Sequence, residues 1–322
     1  MKRPTLHDVA REAGVSHMTV ARVLHGQRVV RPDTAAKVRS AVERLGYRPD
    51  PVLSALAAYR RRSGDGAERG AHLAFIDCDG SEYSQKVFDG VRAEAALFGY
   101  ACEAIRLPLG ATRQTRLARV LFHRGIRGLL FGPSDTRRTF ADWGWERFAT
   151  VSLAALSHRP AMHAVSLDYF HGAASACERL HEAGRRRIAL VIDPQLEMRT
   201  GGLWVGGYMA ATLGRQKPLV CPAETIRDKD ALAAWLRRRK LDGVLTVHSH
   251  LRDVLAASGA ETLFLNQEGE GYPWAHYHLP PADIGREGVR LLHHALLRQE
   301  WCLPGEPKHV ALRGSWTAPA VC

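Results

Sequence analysis

The segment TLHDVAREAGVSHMTVARVLHG, residues 5–26, constrains the fold of this chain more than any other stretch. Leu6, Val9, Ala10 and Ala13 stand at i, i+3, i+4 and i+7, one apolar face of a short helix that Thr5 can cap, with Asp8 three residues on. Gly14 and Val15 interrupt the pattern, and Ser16 is placed to cap a second helix running to about Leu24. Two short helices joined by about three residues bury their apolar stripes by crossing, which is a helix-turn-helix. A third helix is expected from near Pro32, with Ala35, Val38, Val42 and Leu45 at helical spacing and Gly46 as its C-terminal cap. Three such helices make a minimal core.

At 100° per residue, Val20, Val23 and Leu24 share one side of the second helix. His17, Met18, Ala21, Arg22 and His25 occupy the opposite arc, which is left free for DNA. Arg22 can present a bidentate fork to guanine O6 and N7, His17 and His25 can hydrogen-bond base edges or phosphates, and Met18 and Ala21 can touch a thymine methyl. Ser16 and Thr19 suit phosphates. Charge points the same way: residues 1–62 hold 13 Lys and Arg against 5 Asp and Glu, a net +8 of the chain's +12. A concentrated basic excess displaces counterions from a polyanion, although a solvated basic face gives the same count.

At 322 residues, the chain is long enough for two or three domains and a large core, and 46% hydrophobic residues exclude wholesale disorder. Beyond Ala71, short apolar runs alternate with helical patterns: LAFI, ACEAI and GLLF, then strands around Val165, from Ile188 to Ile192 and around Val244. Helices are expected between them, among others from Gly172 to Ala183 and from Leu203 to Leu213. That is parallel α/β layering in two halves with a cleft between them. Arg60 to Gly70, RRRSGDGAERG, reads as a linker. No apolar run reaches the ~18 residues of a membrane span or forms a signal segment, so a cytoplasmic protein with no membrane partner is expected.

The N-terminal segment, followed by LGYRPDPVLSALA, resembles the DNA-binding headpiece of the lactose-repressor (LacI/GalR) family. The resemblance implies a second helix in the major groove and a hinge helix from about Pro51 to Ala58 whose Leu56, with Leu53, wedges into the minor groove. Thr5, Leu6 and Tyr47 join the DNA-contacting set on the same ground. A helix of about eight residues is too short for stability in water, so its folding is expected to be coupled to DNA. His17 and Met18 stand where two specificity residues of the family lie, His25 replaces a frequent Asn, and Arg31 replaces a small capping residue, so the operator sequence cannot be inferred.

VSLDYFHGA, AGRRRIALV, LPPADIGREGVRLL and LRGSW resemble the family's effector domain, which has a two-subdomain fold like the type I periplasmic binding proteins. The resemblance implies three chain crossings between subdomains and a homodimer. The expected organisation is a helix-turn-helix domain over 1–48, a hinge and linker over 49–70, and an effector-binding and dimerisation domain over 71–322. The expected function is a DNA-binding transcriptional regulator, a repressor, bound to a pseudo-palindromic double-stranded operator and modulated by a small, sugar-like molecule.

Ligands in open α/β sheets bind outside the carboxyl ends of strands, which singles out Ser81, Tyr83, Pro133, Ser134, Trp204, His248, Gln267 and Glu268. Trp204 stands where sugar-binding members of the family carry an Arg; it can stack on a ligand or be a buried helix residue. The pairs His248/His250 and His276/His278 lack a third ligand at convincing spacing, so no metal or other cofactor is expected. Gly201, Gly202, Gly206 and Gly207 fit no phosphate-loop spacing and are expected to be packing glycines. No nucleophile elbow or paired carboxylates emerge, and a non-enzyme is expected. An enzyme with a DNA-binding appendage and a ligand-binding protein with a degenerate headpiece are the alternatives.

Overall fold

The computed structural model describes residues 6–16, 19–20, 23, 32–45, 71–266 and 274–317, in two compact units, Met1–Glu68 and Arg69–Cys322. In the first unit, α1 (Leu6–Ala13) ends in a paired-bond stop. Gly14 N–H donates to Arg11 O at 3.3 Å and Val15 N–H to Ala10 O at 3.0 Å, with Gly14 at φ 64°. Only a residue without Cβ takes that conformation cheaply, so glycine is what ends the helix there. Ser16 then starts the next helix: its Oγ accepts the Thr19 N–H at 3.1 Å. The third helix, α2 (Pro32–Leu45), packs on α1, with Arg44 and Glu12 paired at 3.1 Å. Val9, Val20, Val38 and Ala41 are fully buried between the three, joined by Ala10. The hinge helix and Gly46 lie outside the described residues.

The second unit holds two sheets. One contains β1 (His72–Asp77), β2 (Ala101–Arg106), β3 (Gly128–Phe131), β4 (Ala149–Leu153), β5 (His163–Leu167) and β10 (His309–Leu312), ordered β10-β5-β4-β3-β1-β2 and parallel throughout. The other contains β6 (Ile188–Val191), β7 (Gly243–Thr246), β8 (Glu261–Leu265), β9 (His276–His278) and β11 (Ser315–Thr317), ordered β11-β9-β8-β7-β6, with only β11 antiparallel. Strands β3, β4, β6 and β7 are buried at every residue, as strands covered on both faces must be.

Helices cover the faces. α3 (Glu82–Leu97) and α4 (Ala111–His123) belong to the first sheet; α5 (Tyr169–Glu182), α6 (Pro194–Arg199), α7 (Leu203–Thr212), α8 (Ala223–Ile226), α9 (Lys229–Arg239) and α10 (Arg252–Ala257) to the second. The long α11 (Pro281–Arg298) returns to pack on α3, β3, β4 and β5. α5 begins at Tyr169 and not Gly172, because the Asp168 carboxylate accepts the His171 N–H at 3.0 Å and caps the helix a turn earlier. None of the described helices is long and apolar enough to cross a membrane.

The chain passes between the sheets three times: at Asp168 from β5 to α5, at residues 279–280 from β9 to α11, and at Arg313 and Gly314 from β10 to β11. The crossings are tied together. Asp168 N–H donates to Leu312 O at 2.7 Å, and Gly314 N–H donates to the Tyr277 hydroxyl at 2.8 Å.

The four glycines around α7 divide by role. Gly201 and Gly202 adopt φ of 72° and 82° between α6 and α7, a turn and not a packing requirement. Gly207 is the packing glycine: a Cβ there would fall on the Phe170 carbonyl oxygen where α5 crosses α7. A Cβ on Gly206 would meet the Phe170 ring at an ordinary 3.7 Å. Gly207→Ala is therefore expected to destabilise the protein by about 1–3 kcal/mol, whereas Gly206→Ala is neutral or stabilising by up to about 1 kcal/mol. Denaturant midpoints of the two variants check the contrast, and equal effects would contradict it.

Candidate nucleic-acid interface and ligand cleft

In the N-terminal module, the described part of the predicted DNA-facing set is Leu6, Ser16 and Thr19. Ser16 and Thr19 are joined at the helix start, Oγ to Oγ1 at 2.9 Å. Hydroxyl groups at a helix start are of the type that donates hydrogen bonds to phosphate oxygens. Thr5, His17, Met18, Ala21, Arg22, His25, Tyr47, Leu53 and Leu56 lie outside the described residues.

In the second unit, the loops that leave β3 and β4 meet the helix that follows β6. Leu156 N–H donates to Arg199 O at 3.0 Å, the Tyr169 hydroxyl donates to Ala154 O at 3.3 Å, and Arg199 Nη1 stands 3.8 Å from Asp135. The carboxyl ends of the first sheet's strands thus meet elements of the second subdomain.

Most predicted cleft residues are already committed. Ser81 Oγ accepts the Ser84 N–H at 3.0 Å as the N-cap of α3. Tyr83 is half-buried against the core, and Pro133 is buried. Ser134 is fully buried, and its Oγ accepts Arg138 Nε–H at 2.9 Å. Arg138 also donates to Cys78 O at 3.2 Å, which ties the loop after β3 to the end of β1. Trp204 is 1% exposed, its ring edge-on to Tyr169 at 5.0 Å, so it offers no open face to a ligand in this conformation. Of the two readings of Trp204, this conformation takes the buried helix residue. Gln267 and Glu268 lie outside the described residues.

His248 follows β7, and its Nε2 accepts the N–H of Asp193, just past β6, at 2.9 Å. That bond fixes the neutral tautomer with the proton on Nδ1, leaving Nδ1–H as the one ring donor for a ligand. Burial, with His250 beside it, lowers its pKa from 6.5 to about 4. Sequence reasoning missed Arg138 and Arg199, because the loop after β3 and the short α6 carry no periodic signal that aims a side chain.

The model of "Bacterial regulatory proteins, lacI family" matches residues 5–50. Among curated proteins, catabolite control protein A of Priestia megaterium is 27% identical over 208 residues, covering 64% of this chain and 60% of that protein. The HTH-type transcriptional regulator GntR of Pseudomonas aeruginosa is 30% identical over 202 residues, covering 62% and 55%. The matched part thus spans about 60% of the length of the first of these relatives. Among solved structures, the transcriptional regulator CelR–cellobiose complex aligns at TM-score 0.55 and 22% identity, covering 99% of both chains. The lac repressor dimer bound to operator and the anti-inducer ONPF aligns at TM-score 0.58 and 15% identity, also covering 99% of both.

The unfolded chain's His248 takes up a proton near pH 6.5, while the folded protein resists protonation until about pH 4. Its contribution to stability is complete above pH 6.5 and is lost as pH falls toward 4. Denaturation midpoints at pH 7.5 and 4.5 should fall less for His248→Asn than for the unsubstituted chain, and an equal fall would contradict the assignment.

Residues 5–50 thus resemble the lacI family of bacterial regulatory proteins, and the two-sheet α/β unit shares the fold of the lac repressor and CelR structures.

Proposed function

We propose that this chain is a sequence-specific DNA-binding transcriptional regulator, a repressor, that acts in the cytoplasm as a homodimer on a pseudo-palindromic operator and responds to a small molecule held in the cleft. The observation that carries the reading is the N-terminal module: a glycine-stopped first helix, a three-residue turn and a Ser16-capped second helix, within residues 5–50 that match the family model. In this reading the DNA-binding domain covers 1–48, the hinge and linker 49–70 and the ligand and dimerisation domain 71–322. The net +8 of residues 1–62 supplies phosphate affinity. Arg22, His17, Met18, Ala21 and His25 supply base readout, and Leu53 and Leu56 the minor-groove wedge.

The solved relatives bind operator DNA and cellobiose, and that pairing of partners supports a small-molecule-controlled regulator here. Ligand binding that favours one subdomain closure over another shifts operator affinity through coupling of about 1–3 kcal/mol, transmitted by the three tied crossings. The reading is of a regulator and not an enzyme.

Arg22→Ala is expected to weaken binding to the selected operator by about 1–3 kcal/mol and to relax base preference at one position per half-site. Competition binding against single-base variants reads both effects, and an unchanged base preference would remove Arg22 from the reading set. Hydrogen exchange over residues 51–58 should slow when operator is added. Identical exchange with and without DNA would refute coupled hinge folding.

A further inference from the structure

Two arginines near the strand ends, Arg199 and Arg138, are poorly matched by the described carboxylates. The Arg199 side chain is only 13% exposed, and its Nε is buried with no hydrogen-bond partner among the described residues. Its one ion pair among the described residues is loose, with Asp135 at 3.8 Å, and the Asp135 side chain is 79% exposed. The other described carboxylates around the strand ends accept hydrogen bonds within their own turns or from neighbouring side chains, Asp79 among them through the Ser81 N–H at 2.9 Å. Asp77 holds Arg106 at 2.8 Å and Ser84 at 2.7 Å, and Asp168 and Asp193 cap helices at the N–H groups of His171 and Gln195. Glu197 accepts from Val205 N–H at 2.9 Å and Thr200 Oγ1 at 3.1 Å.

Arg138, on the same loop as Asp135, donates to two neutral acceptors, Ser134 Oγ and Cys78 O. No ion pair joins it to a carboxylate among the described residues. A guanidinium keeps its charge at any physiological pH, and a largely desolvated one is costly unless an anion meets it. Among the described residues, Arg199 has only the solvated Asp135 as a partner and Arg138 pairs with no carboxylate.

We propose that the cleft ligand is an anion, carrying a carboxylate or a phosphate, and that Arg199 selects it. The inference rests on the reading of the cleft as a small-molecule site. The anionic group takes the bidentate face of the Arg199 guanidinium in place of Asp135, and Arg138 adds to the favourable potential. A neutral sugar can hydrogen-bond the same fork but leaves the charge uncompensated.

Isothermal titration of the purified full chain with glucose, gluconate and glucose 6-phosphate tests this. At least one anion is expected to bind about tenfold or more tighter than glucose, as a charge-assisted hydrogen bond in a desolvated site allows. Arg199→Met should abolish that advantage, Arg199→Lys should restore part of it, and Asp135→Asn should keep or strengthen it. Because its charge is poorly compensated, Arg199→Met should melt at the same or a higher temperature than the unliganded parent. A much lower melting temperature would make Arg199 structural and overturn the proposal. Binding of gluconate alone identifies a carboxylate ligand, and of glucose 6-phosphate alone a phosphate ligand. The proposal is overturned if neither anion binds, if glucose matches both, or if Arg199→Met binds the anions as well as the parent. Selection of genomic fragments by the unliganded chain, run in parallel, keeps the two questions apart: retained selection with no anion preference sinks the ligand class alone, and lost selection sinks the regulator reading.

Discussion

The second unit is governed by a connectivity constraint: one chain runs three times between two sheets that share a buried core, and the first and third crossings are bonded to each other. Asp168 begins a helix with its carboxylate and donates its own N–H to Leu312, so the first and third crossings share a bond. Gly314 donates to the Tyr277 hydroxyl, and the Tyr277 ring lies 5.5 Å from that of Trp316, so the third crossing is clasped to β9 and β11. Short crossings at element ends are where hinge motions between subdomains are usually absorbed. That property suits a domain whose proposed output is a change of closure.

The constraint also decides which polar groups can meet a ligand. Residues at the carboxyl ends of the strands must first satisfy the turns and helix starts that follow, since a buried unpaired donor or acceptor is costly. Ser81, Asp168 and Asp193 are consumed as caps, Ser134 holds Arg138, and His248 accepts a backbone N–H. Among the described residues, the His248 Nδ1–H and the Arg199 guanidinium remain uncommitted. The position after a strand, taken alone, locates a cleft; the hydrogen-bond inventory identifies the side chains still able to act in it.

Much of the architecture was legible in the residues. The i, i+3, i+4 spacing of Leu6, Val9, Ala10 and Ala13, with glycine directly after, specifies a helix and its stop, and Val9, Val20 and Val38 form the buried core that the pattern requires. The fully buried strands GLLF and IALV read as strands because nothing polar interrupts them. The start of α5 was misread by three residues, since Tyr169 and Phe170 give no periodic signal and the capping role of Asp168 depends on its backbone geometry. The edge strands β10 and β11 went unread because each is short and only half-buried on alternate residues. Trp204 could not be assigned from sequence, because a helix apolar on every side does not reveal which side meets Tyr169. The arginine pair was out of reach for a similar reason: Arg138 and Arg199 are 61 positions apart and meet the same loop only in the folded unit.

The central claim is that paired N-terminal modules read a specific DNA sequence. Its most direct measurement is selection of genomic fragments by the purified full chain at moderate ionic strength, with the number of chains per bound duplex counted in the same preparation. The account predicts one enriched motif with approximate two-fold symmetry, occupied by two chains. Single chains bound to random and genomic duplexes alike, with no enriched motif, would contradict it.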